Sequence, residues 1–173
     1  AELIVLASPQ SDDAYYAEMI DDIFEFHVDY AKKILKNGDN VVILTDKELY
    51  PDYVKELGED HVAIAPMHDI WMRDFTSANP AQPVLFRYTA AGQGGAKKGQ
   101  SISDDVQAEF KYYGKKAGLQ YTTTQLLNDG GNWVEDGYGN VVVSTKFLAD
   151  NRLSESEARQ KLIALTGAKH IAF

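Results

Sequence analysis

Two short segments combine carboxylates, an indole and glycines in a way that could bind a flat cation. The first is His68-Asp-Ile-Trp-Met-Arg-Asp74, and the second is Asn128-Asp-Gly-Gly-Asn132. A carboxylate such as Asp74 can accept two parallel hydrogen bonds from a guanidinium, and Trp71 can stack on the same cation. The glycine pair frees the backbone for an unusual turn that directs Asp129 into a cavity.

Each segment also has a purely structural interpretation. Arg73 and Asp74 could form a surface ion pair beside a buried Trp71, and Asp129 could belong to an ordinary Asp-Gly-Gly turn. A shared site is the functional interpretation, because two anions held close together without a partner are costly and a bound guanidinium removes that cost. The residues themselves therefore leave two alternatives, and the functional one predicts paired carboxylates, Asp74 and Asp129, around one cation.

Alternating strand and helix patterns must position these segments. Short apolar runs predict strands at residues 2–7, 41–45, 61–65, 75–78, 83–88, 119–124, 132–135, 140–144 and 169–173. Helical spacing and stop signals predict helices at residues 14–35, 51–57, 104–117 and 154–166. The turn signal Asp136-Gly-Tyr-Gly139 predicts a hairpin between the strands at residues 132–135 and 140–144. This order indicates an α/β fold or an arrangement of repeated ββαβ units. Both candidate segments then lie in loops or at the start of a strand.

Local signals refine the helix ends and the longest loop. Residues 11–13 are predicted to cap the first helix, and Ser154-Glu-Ser-Glu157 is a capping box for the last. Ten residues of the first helix recur at helical spacing and are assigned to its apolar face: Tyr16, Met19, Ile20, Ile23, Phe24, His27, Tyr30, Ala31, Ile34 and Leu35. Residues 90–103 are rich in glycine and small side chains and are predicted to be a mobile loop.

Composition narrows the class of protein and its partners. A length of 173 residues fits one domain, residues 1–173. The formal net charge of -9 opposes binding to nucleic acid and to anionic membranes, whereas a cationic small molecule or basic peptide is attracted. No apolar run approaches the roughly 20 residues that span a bilayer. No metal-ligand spacing or phosphate-loop pattern occurs, so no cofactor and no metal are expected.

The two candidate segments resemble motifs of one enzyme family. Trp71-Met-Arg-Asp74 resembles the Trp-x-Arg-Asp motif of the agmatine deiminase and bacterial-type, or Porphyromonas-type, peptidylarginine deiminase family. Asp129-Gly-Gly-Asn132 is similar to that family's Glu-Gly-Gly-Asn segment, and Leu148-Ala-Asp-Asn-Arg152 is similar to its Leu-x-x-Asn-Arg run. The resemblance extends over nearly the whole chain, from the first strand to Phe173.

This resemblance implies a fold and a reaction. The family fold is the pentein, a propeller of ββαβ units around a pseudo-fivefold axis, of which residues 1–173 would form the N-terminal half. The family hydrolyses a guanidine to a ureido group and ammonia, using a Cys nucleophile, a His acid and base, and two carboxylates. Asp74 and Asp129 are assigned to the catalytic carboxylates, and Trp71, Arg73, Asp74 and Asn132 to substrate binding. Asp129 is shorter than the family's Glu and would have to lie closer or act through water.

The catalytic Cys and the Gly-His-x-Asp motif of the family have no counterpart in the sequence. Either the mature protein is nicked and a second chain completes the propeller, or the chain is a truncated or derived fragment without catalysis. The nicked protein is favoured, because a half propeller would expose sheet edges and an apolar face. From the abrupt start at Ala1 we expect trimming, either by a protease or by design of the expressed sequence, and an exported protein is expected slightly more than a cytoplasmic one.

The expected function is that of a deiminase subunit. Its substrate class is agmatine, arginine derivatives or peptidyl-arginine, as the resemblance implies. The main alternative is a catalytically inactive binding or structural protein on the pentein scaffold, and a third option is amidino transfer on the same scaffold. A Cys and a Gly-His-x-Asp motif in an accompanying chain would favour the enzyme.

Overall fold

The computed structural model describes residues 1–90 and 97–173, which form two compact units. The first unit is Ala1–Met72 and the second is Arg73–Phe173. Both units contain strands and helices, so the predicted mixed α/β class is confirmed. The residues numbered 91–96, which belong to the predicted mobile loop, lie outside the described part of the chain.

The first unit is a parallel three-stranded sheet with two helices. Its strands are β1 (Leu3–Ala7), β2 (Asn40–Thr45) and β3 (Val62–Ile64), hydrogen-bonded in that order. Its helices are α1 (Ile20–Lys36) and α2 (Tyr50–Leu57). Parallel neighbours need a crossover connection, and the helices provide it. Buried apolar residues of α1, α2, β2 and β3 form the core: Val28, Ala31, Ile34, Val41, Ile43, Tyr53 and Val62.

Helix α1 begins at Ile20, six residues later than the sequence predicts. The predicted cap at residues 11–13 is wrong, because Ser11 N donates to Asp46 Oδ2 and Asp13 Oδ1 accepts from Tyr15 N. The side chain of Tyr16 is buried, and its hydroxyl donates to Asp69 Oδ1 at 2.6 Å. This long-range contact competes with local helical preference, which is a weak determinant.

The apolar face assigned to the first helix is only partly buried. His27, Ala31 and Ile34 are buried as expected, whereas Met19 and Tyr30 lie on the solvent-exposed side. Apolar spacing predicts which residues share a helix face, but it does not determine how wide a strip of that face the rest of the protein covers.

The second unit contains two small sheets. Strand β4 (Val84–Arg87) pairs in parallel with β5 (Thr122–Leu127). The other sheet has the order β6 (Val134–Glu135), β7 (Asn140–Val142) and β8 (His170–Ala172). Strands β6 and β7 form the predicted antiparallel hairpin, and β8 joins β7 in parallel.

Four helices lie before or between these strands along the chain. They are α3 (Met72–Phe75), α4 (Gln100–Lys116), α5 (Lys146–Asn151) and α6 (Glu155–Thr166). The predicted capping box of α6 is confirmed, since Ser154 Oγ accepts from Glu157 N while the Glu157 carboxylate accepts from Ser154 N. Ten buried residues form the main core of this unit: Val84, Phe86, Trp133, Val141, Val143, Phe147, Ala158, Leu162, Ala168 and Ile171.

Two sequence expectations fail in the second unit, and one of its helices was not predicted. The predicted strand at residues 75–78 is wrong, because Phe75 ends α3 and only Ala78 forms a bridge, with Val84. Helix α4 begins at Gln100 rather than at residue 104. Helix α5 was not predicted, although Lys146 and Asp150 at its two ends form an i,i+4 ion pair. Short elements depend on tertiary contacts more than on local pattern.

None of the helices in the described part of the chain combines the length and apolar character required for a membrane crossing.

Acid should destabilise the first unit through His27. This side chain is buried beside the Tyr53 hydroxyl, 3.3 Å from its Nδ1, and burial lowers its pKa from 6.5 to about 4. The unfolded chain therefore binds more protons below about pH 6.5, and the free energy of unfolding should fall by about 3 kcal/mol between pH 7 and pH 4. Urea unfolding at a series of pH values measures this slope.

Two variants separate His27 from the other titrating groups. His27→Gln cannot be protonated, so its unfolding free energy should fall less steeply in the same pH window. His170→Gln is the matched control, because His170 is exposed, and it should keep the slope of the parent protein. Equal slopes for the parent and His27→Gln would contradict this account.

Candidate functional site

The carboxylates of Asp74 and Asp129 flank the same backbone turn. Asp74 lies in α3, and Asp129 precedes a short 3-10 turn, Gly130–Asn132. Asp74 Oδ1 accepts a hydrogen bond from Gly131 N at 3.0 Å, and Asp129 Oδ1 accepts from Asn132 N at 2.8 Å. Both side chains are half-buried. The second unit thus brings together two acids that are far apart in sequence.

Close backbone packing at the glycine pair makes this arrangement possible. A Cβ atom on Gly130 would lie 1.8 Å from the carbonyl oxygen of Arg73, so no side chain fits there. A Cβ atom on Gly131 would lie 2.7 Å from Asp74 Oδ1 and 3.3 Å from Asp129 Oδ1. The glycines are therefore needed for close approach, because neither has the positive φ angle that favours glycine elsewhere in the chain.

The side chain of Asn132 connects this turn to the hairpin. Its Nδ2 donates to Asn128 Oδ1 at 3.0 Å, and its Oδ1 accepts from Ser144 N at 2.8 Å. Asn128 is buried, and its backbone N–H donates to the Arg87 carbonyl at the end of β4. These bonds give Asn132 a structural role, and its predicted substrate contact stays a prediction.

Arg73 contacts the backbone of the same region. Its Nη2 donates to the carbonyl oxygen of Trp133 at 3.3 Å, which braces the end of α3 against the strand that follows the turn. Trp133 is buried in the core of the second unit, and its Nε1 donates to Glu135 Oε2 at 2.9 Å. The assignment of Arg73 to substrate binding also stays a prediction.

Trp71 belongs to the first unit, whereas the two acids belong to the second. Its side chain is 59% exposed, so the alternative of a buried Trp71 anchor is wrong. The loop that carries it is fastened by Gln10 Nε2, which donates to the Met67 carbonyl at 3.0 Å, and by the Tyr16–Asp69 hydrogen bond. Burial and this bond raise the pKa of Tyr16, so the hydroxyl stays protonated.

Gln107 is a structural residue of the site that the sequence analysis did not identify. It is buried, its Oε1 accepts from Tyr88 N, and its Nε2 donates to the carbonyls of Phe75 and Phe86. The Phe75 carbonyl directly follows Asp74, so Gln107 fixes the end of α3. The sequence places this polar residue on the apolar face of a helix. A polar side chain that is buried there needs hydrogen-bond partners, and this requirement could have identified Gln107 as a structural residue.

An ion pair beside Gln107 links β4 to α4. Arg87 donates to both oxygens of Asp104, at 3.0 and 2.8 Å, and this bidentate contact holds the pKa of Asp104 below its usual value. Gln100 Nε2 also donates to Asp104 Oδ1. The pair is partly exposed, so its effect on stability is small.

The chemistry that this arrangement supports is binding of a cation that has several N–H donors. Two acids on one turn provide negative charge and several acceptor lone pairs, which match the charge and the planar N–H donors of a guanidinium. Among the residues that the structure describes, no three His, Asp or Glu side chains are grouped closely enough to hold a metal ion.

Solved structures of agmatine deiminases share the fold of this chain. The C. jejuni agmatine deiminase is 18% identical over 98% of this chain and 51% of its own, with a TM-score of 0.71. A cysteine-to-serine variant of that enzyme with substrate bound gives 18% identity, coverages of 98% and 52%, and the same TM-score. For the Enterococcus faecalis enzyme the identity is 17%, the coverages are 98% and 49%, and the TM-score is 0.67. The chain therefore has the mixed α/β fold of the deiminases, the pentein type, and spans about half the length of these structures.

The family itself follows from the sequence. The model of the Porphyromonas-type peptidyl-arginine deiminase family matches residues 1–173. The chain belongs to this family, and the resemblance found in its motifs is confirmed. A search of the curated proteins gives no significant match.

Substitutions at the glycine pair test the packing of the turn. Gly130→Ala should lower the free energy of unfolding by about 3 kcal/mol or more, because its methyl group would overlap the Arg73 carbonyl and the backbones would have to separate. Gly131→Ala should cost less, since the nearest atom is the end of the Asp74 side chain, which can rotate away. Chemical denaturation measures both changes.

Gly114→Ala is the control for these variants. Gly114 lies inside α4, where an added Cβ would contact the side chain of Leu119, whose nearest atom is Cδ1 at 3.4 Å. Alanine is preferred over glycine in a helix by about 1 kcal/mol, so this variant should be as stable as the parent or more stable. A Gly130→Ala protein that matches the control in stability would show that the turn is not packed as described.

Proposed function

We propose that residues 1–173 provide the guanidinium-binding carboxylates of a deiminase. Asp74 and Asp129 hold the guanidinium nitrogens, and Trp71 keeps the substrate-binding role that the family resemblance implies. The observation that carries this proposal is the placement of both carboxylates at the Gly130–Asn132 turn, where a Cβ atom on Gly131 would lie 2.7 Å from Asp74 Oδ1 and 3.3 Å from Asp129 Oδ1. Membership in the deiminase family supports the same assignment.

The reaction removes one nitrogen from the guanidinium. A thiolate attacks the central carbon, ammonia leaves after protonation by a general acid, and water then hydrolyses the carbon–sulfur bond to give a ureido group and the free thiol. Two carboxylates bound to the nitrogens stabilise the cationic substrate and orient its carbon towards the thiolate. Asp74 and Asp129 provide this function in our proposal.

The thiol and the imidazole come from residues outside this sequence in our proposal. The 173 residues contain no Cys, and the C. jejuni and E. faecalis structures are about twice as long as this chain. We propose that a C-terminal half or a second chain supplies both groups and completes the propeller. An uncovered sheet face supports this proposal. Val134 of β6 and Val142 of β7 are paired and are each 57% exposed, and the neighbouring Ala172 of β8 is also exposed.

Exposed apolar side chains in a row across three strands form the kind of patch that packs against another element. The opposite side of the same sheet is covered, since Val141, Val143 and Ile171 are buried in the core of the second unit. A second layer on the uncovered side is therefore the physical expectation.

Agmatine and peptidyl-arginine are the proposed substrates, because the related structures are agmatine deiminases and the family model describes a peptidyl-arginine deiminase.

Charge-neutral variants test the carboxylates. Asp74→Asn and Asp129→Asn keep an oxygen that can accept the N–H bonds of Gly131 and Asn132, but they lose the negative charge. Each should lower kcat/KM of the complete protein for agmatine or an acylated arginine by about tenfold to a hundredfold, because a charged hydrogen bond contributes about 1.5–3 kcal/mol. Ammonia release measures the rate.

Asp105→Asn is the matched control for these variants. Asp105 is an exposed acid of α4, and its replacement should leave kcat/KM unchanged. Full activity of both Asp74→Asn and Asp129→Asn, with thermal stability equal to that of the parent, would remove the two acids from the site. No ammonia from the complete protein with any guanidine would instead favour the inactive binding protein.

The composition of the native protein tests the source of the thiol. Intact mass and size-exclusion chromatography should reveal either a longer chain that includes these residues or a second chain bound to them. That additional segment should contain a Cys whose alkylation abolishes ammonia release. A single species with the mass of this chain alone, monomeric in solution, is incompatible with the proposal.

A further inference from the structure

Helix α1 has a second apolar stripe, on its exposed side. Met19, Phe26 and Tyr30 are 42%, 61% and 42% exposed, and Ile23 between them is half-buried. These positions are separated by four, three and four residues, the spacing of the apolar seam that one helix presents to another. The rings of Phe26 and Tyr30 lie together, with centroids 5.6 Å apart. We call these four residues the outer stripe.

The outer stripe is distinct from the face that holds α1 in the fold. The inner face, displaced by one residue, includes His27, Ala31 and Ile34, which are buried against β2 and α2. The packing of the first unit is therefore provided by the inner face. An aromatic pair left on the exposed side of an already packed helix marks an interaction surface.

A row of acids runs beside the outer stripe. Glu18, Asp22, Glu25 and Asp29 each come directly before one of its residues, and all four are exposed. Residues 12–31 contain seven acidic side chains and no Lys or Arg. This segment therefore has a charge of -7, and the whole sequence has a net charge of -9. Among the described residues, Asp29 is the only acid of the row that forms an ion pair, with Lys33 at 2.8 Å. The negative charge is thus concentrated along one edge of the stripe.

We propose that the outer stripe of α1 binds an amphipathic helix of another protein, whose apolar side chains are flanked by Lys or Arg. The four-three-four spacing fits a helix, because side chains of two packed helices interdigitate at this repeat. The acidic row fits basic flanking residues, since complementary charges fix the register and exclude partners of the wrong sign.

A second copy of this chain fits the stripe less well. Two α1 helices packed stripe against stripe about a twofold axis would bring two copies of the acidic row to one interface. Like charges at an interface oppose association. A basic helix meets no such repulsion. This proposal concerns a surface of the first unit, and it does not depend on the guanidinium site.

Synthetic peptides test the proposal directly. The probe is a fluorescent three-heptad peptide with Leu at its a and d positions and Lys at e and g, and the comparison peptide has Glu in place of Lys. Fluorescence anisotropy with the native protein should show the Lys peptide binding with a Kd of about 10–100 μM, because the patch is small. The Glu peptide should bind at least about tenfold more weakly, and added salt should weaken the Lys peptide.

Substitutions connect this binding to the stripe. Phe26→Ser and Glu25→Lys should each weaken the Lys peptide by about tenfold or more, while Phe26→Leu should retain most of the binding. Glu48→Lys is the matched control for charge: Glu48 is exposed and lies outside α1, so its reversal should change the Kd less than twofold. Circular dichroism and thermal unfolding establish that each variant is folded.

Three outcomes would overturn the proposal. The first is equal binding of the Lys and Glu peptides, and the second is unchanged binding to folded Phe26→Ser. The third is a native protein that sediments as a dimer and becomes monomeric in Phe26→Ser, because a second copy would then occupy the stripe.

Discussion

The backbone of Gly130 lies so close to the carbonyl group of Arg73 that no side chain could stand between them. An added Cβ would be 1.8 Å from that oxygen, and this single contact joins α3 to the turn before β6. It places the carboxylates of Asp74 and Asp129 on either side of Gly131. The site thus depends on the absence of two side chains as much as on the presence of two acids.

Buried polar side chains hold the surrounding backbone in the arrangement that this contact requires. Gln107 satisfies backbone groups of Phe75, Phe86 and Tyr88, and Asn132 connects the turn to Ser144. Such bonds contribute modestly to stability, but removing one partner leaves a buried group unsatisfied and is costly. These residues therefore specify the geometry of the turn, and the proposed guanidinium site depends on that geometry.

Negative charge has two different uses in this chain according to our proposals. At Asp74 and Asp129 it is paired on one turn, suited to a small planar cation. Along α1 it forms a row beside exposed aromatic side chains, suited to an extended basic helix. Net charge alone predicts an attraction to cations, and only the positions of the acids distinguish these two kinds of partner.

The sequence by itself determined features that depend on a few neighbouring residues: the capping box of α6, the hairpin of β6 and β7, the glycine turn and the family motifs. Only the tertiary structure decided that α1 begins at Ile20, because Tyr16 bonds to Asp69, and that α3 replaces a predicted strand at Phe75. Local hydrogen bonding follows from residue type and spacing. Long-range contacts require segments whose meeting no local pattern records. The residue types therefore offered the pairing of Asp74 with Asp129 as one of two interpretations, and only the tertiary structure places both acids at one turn.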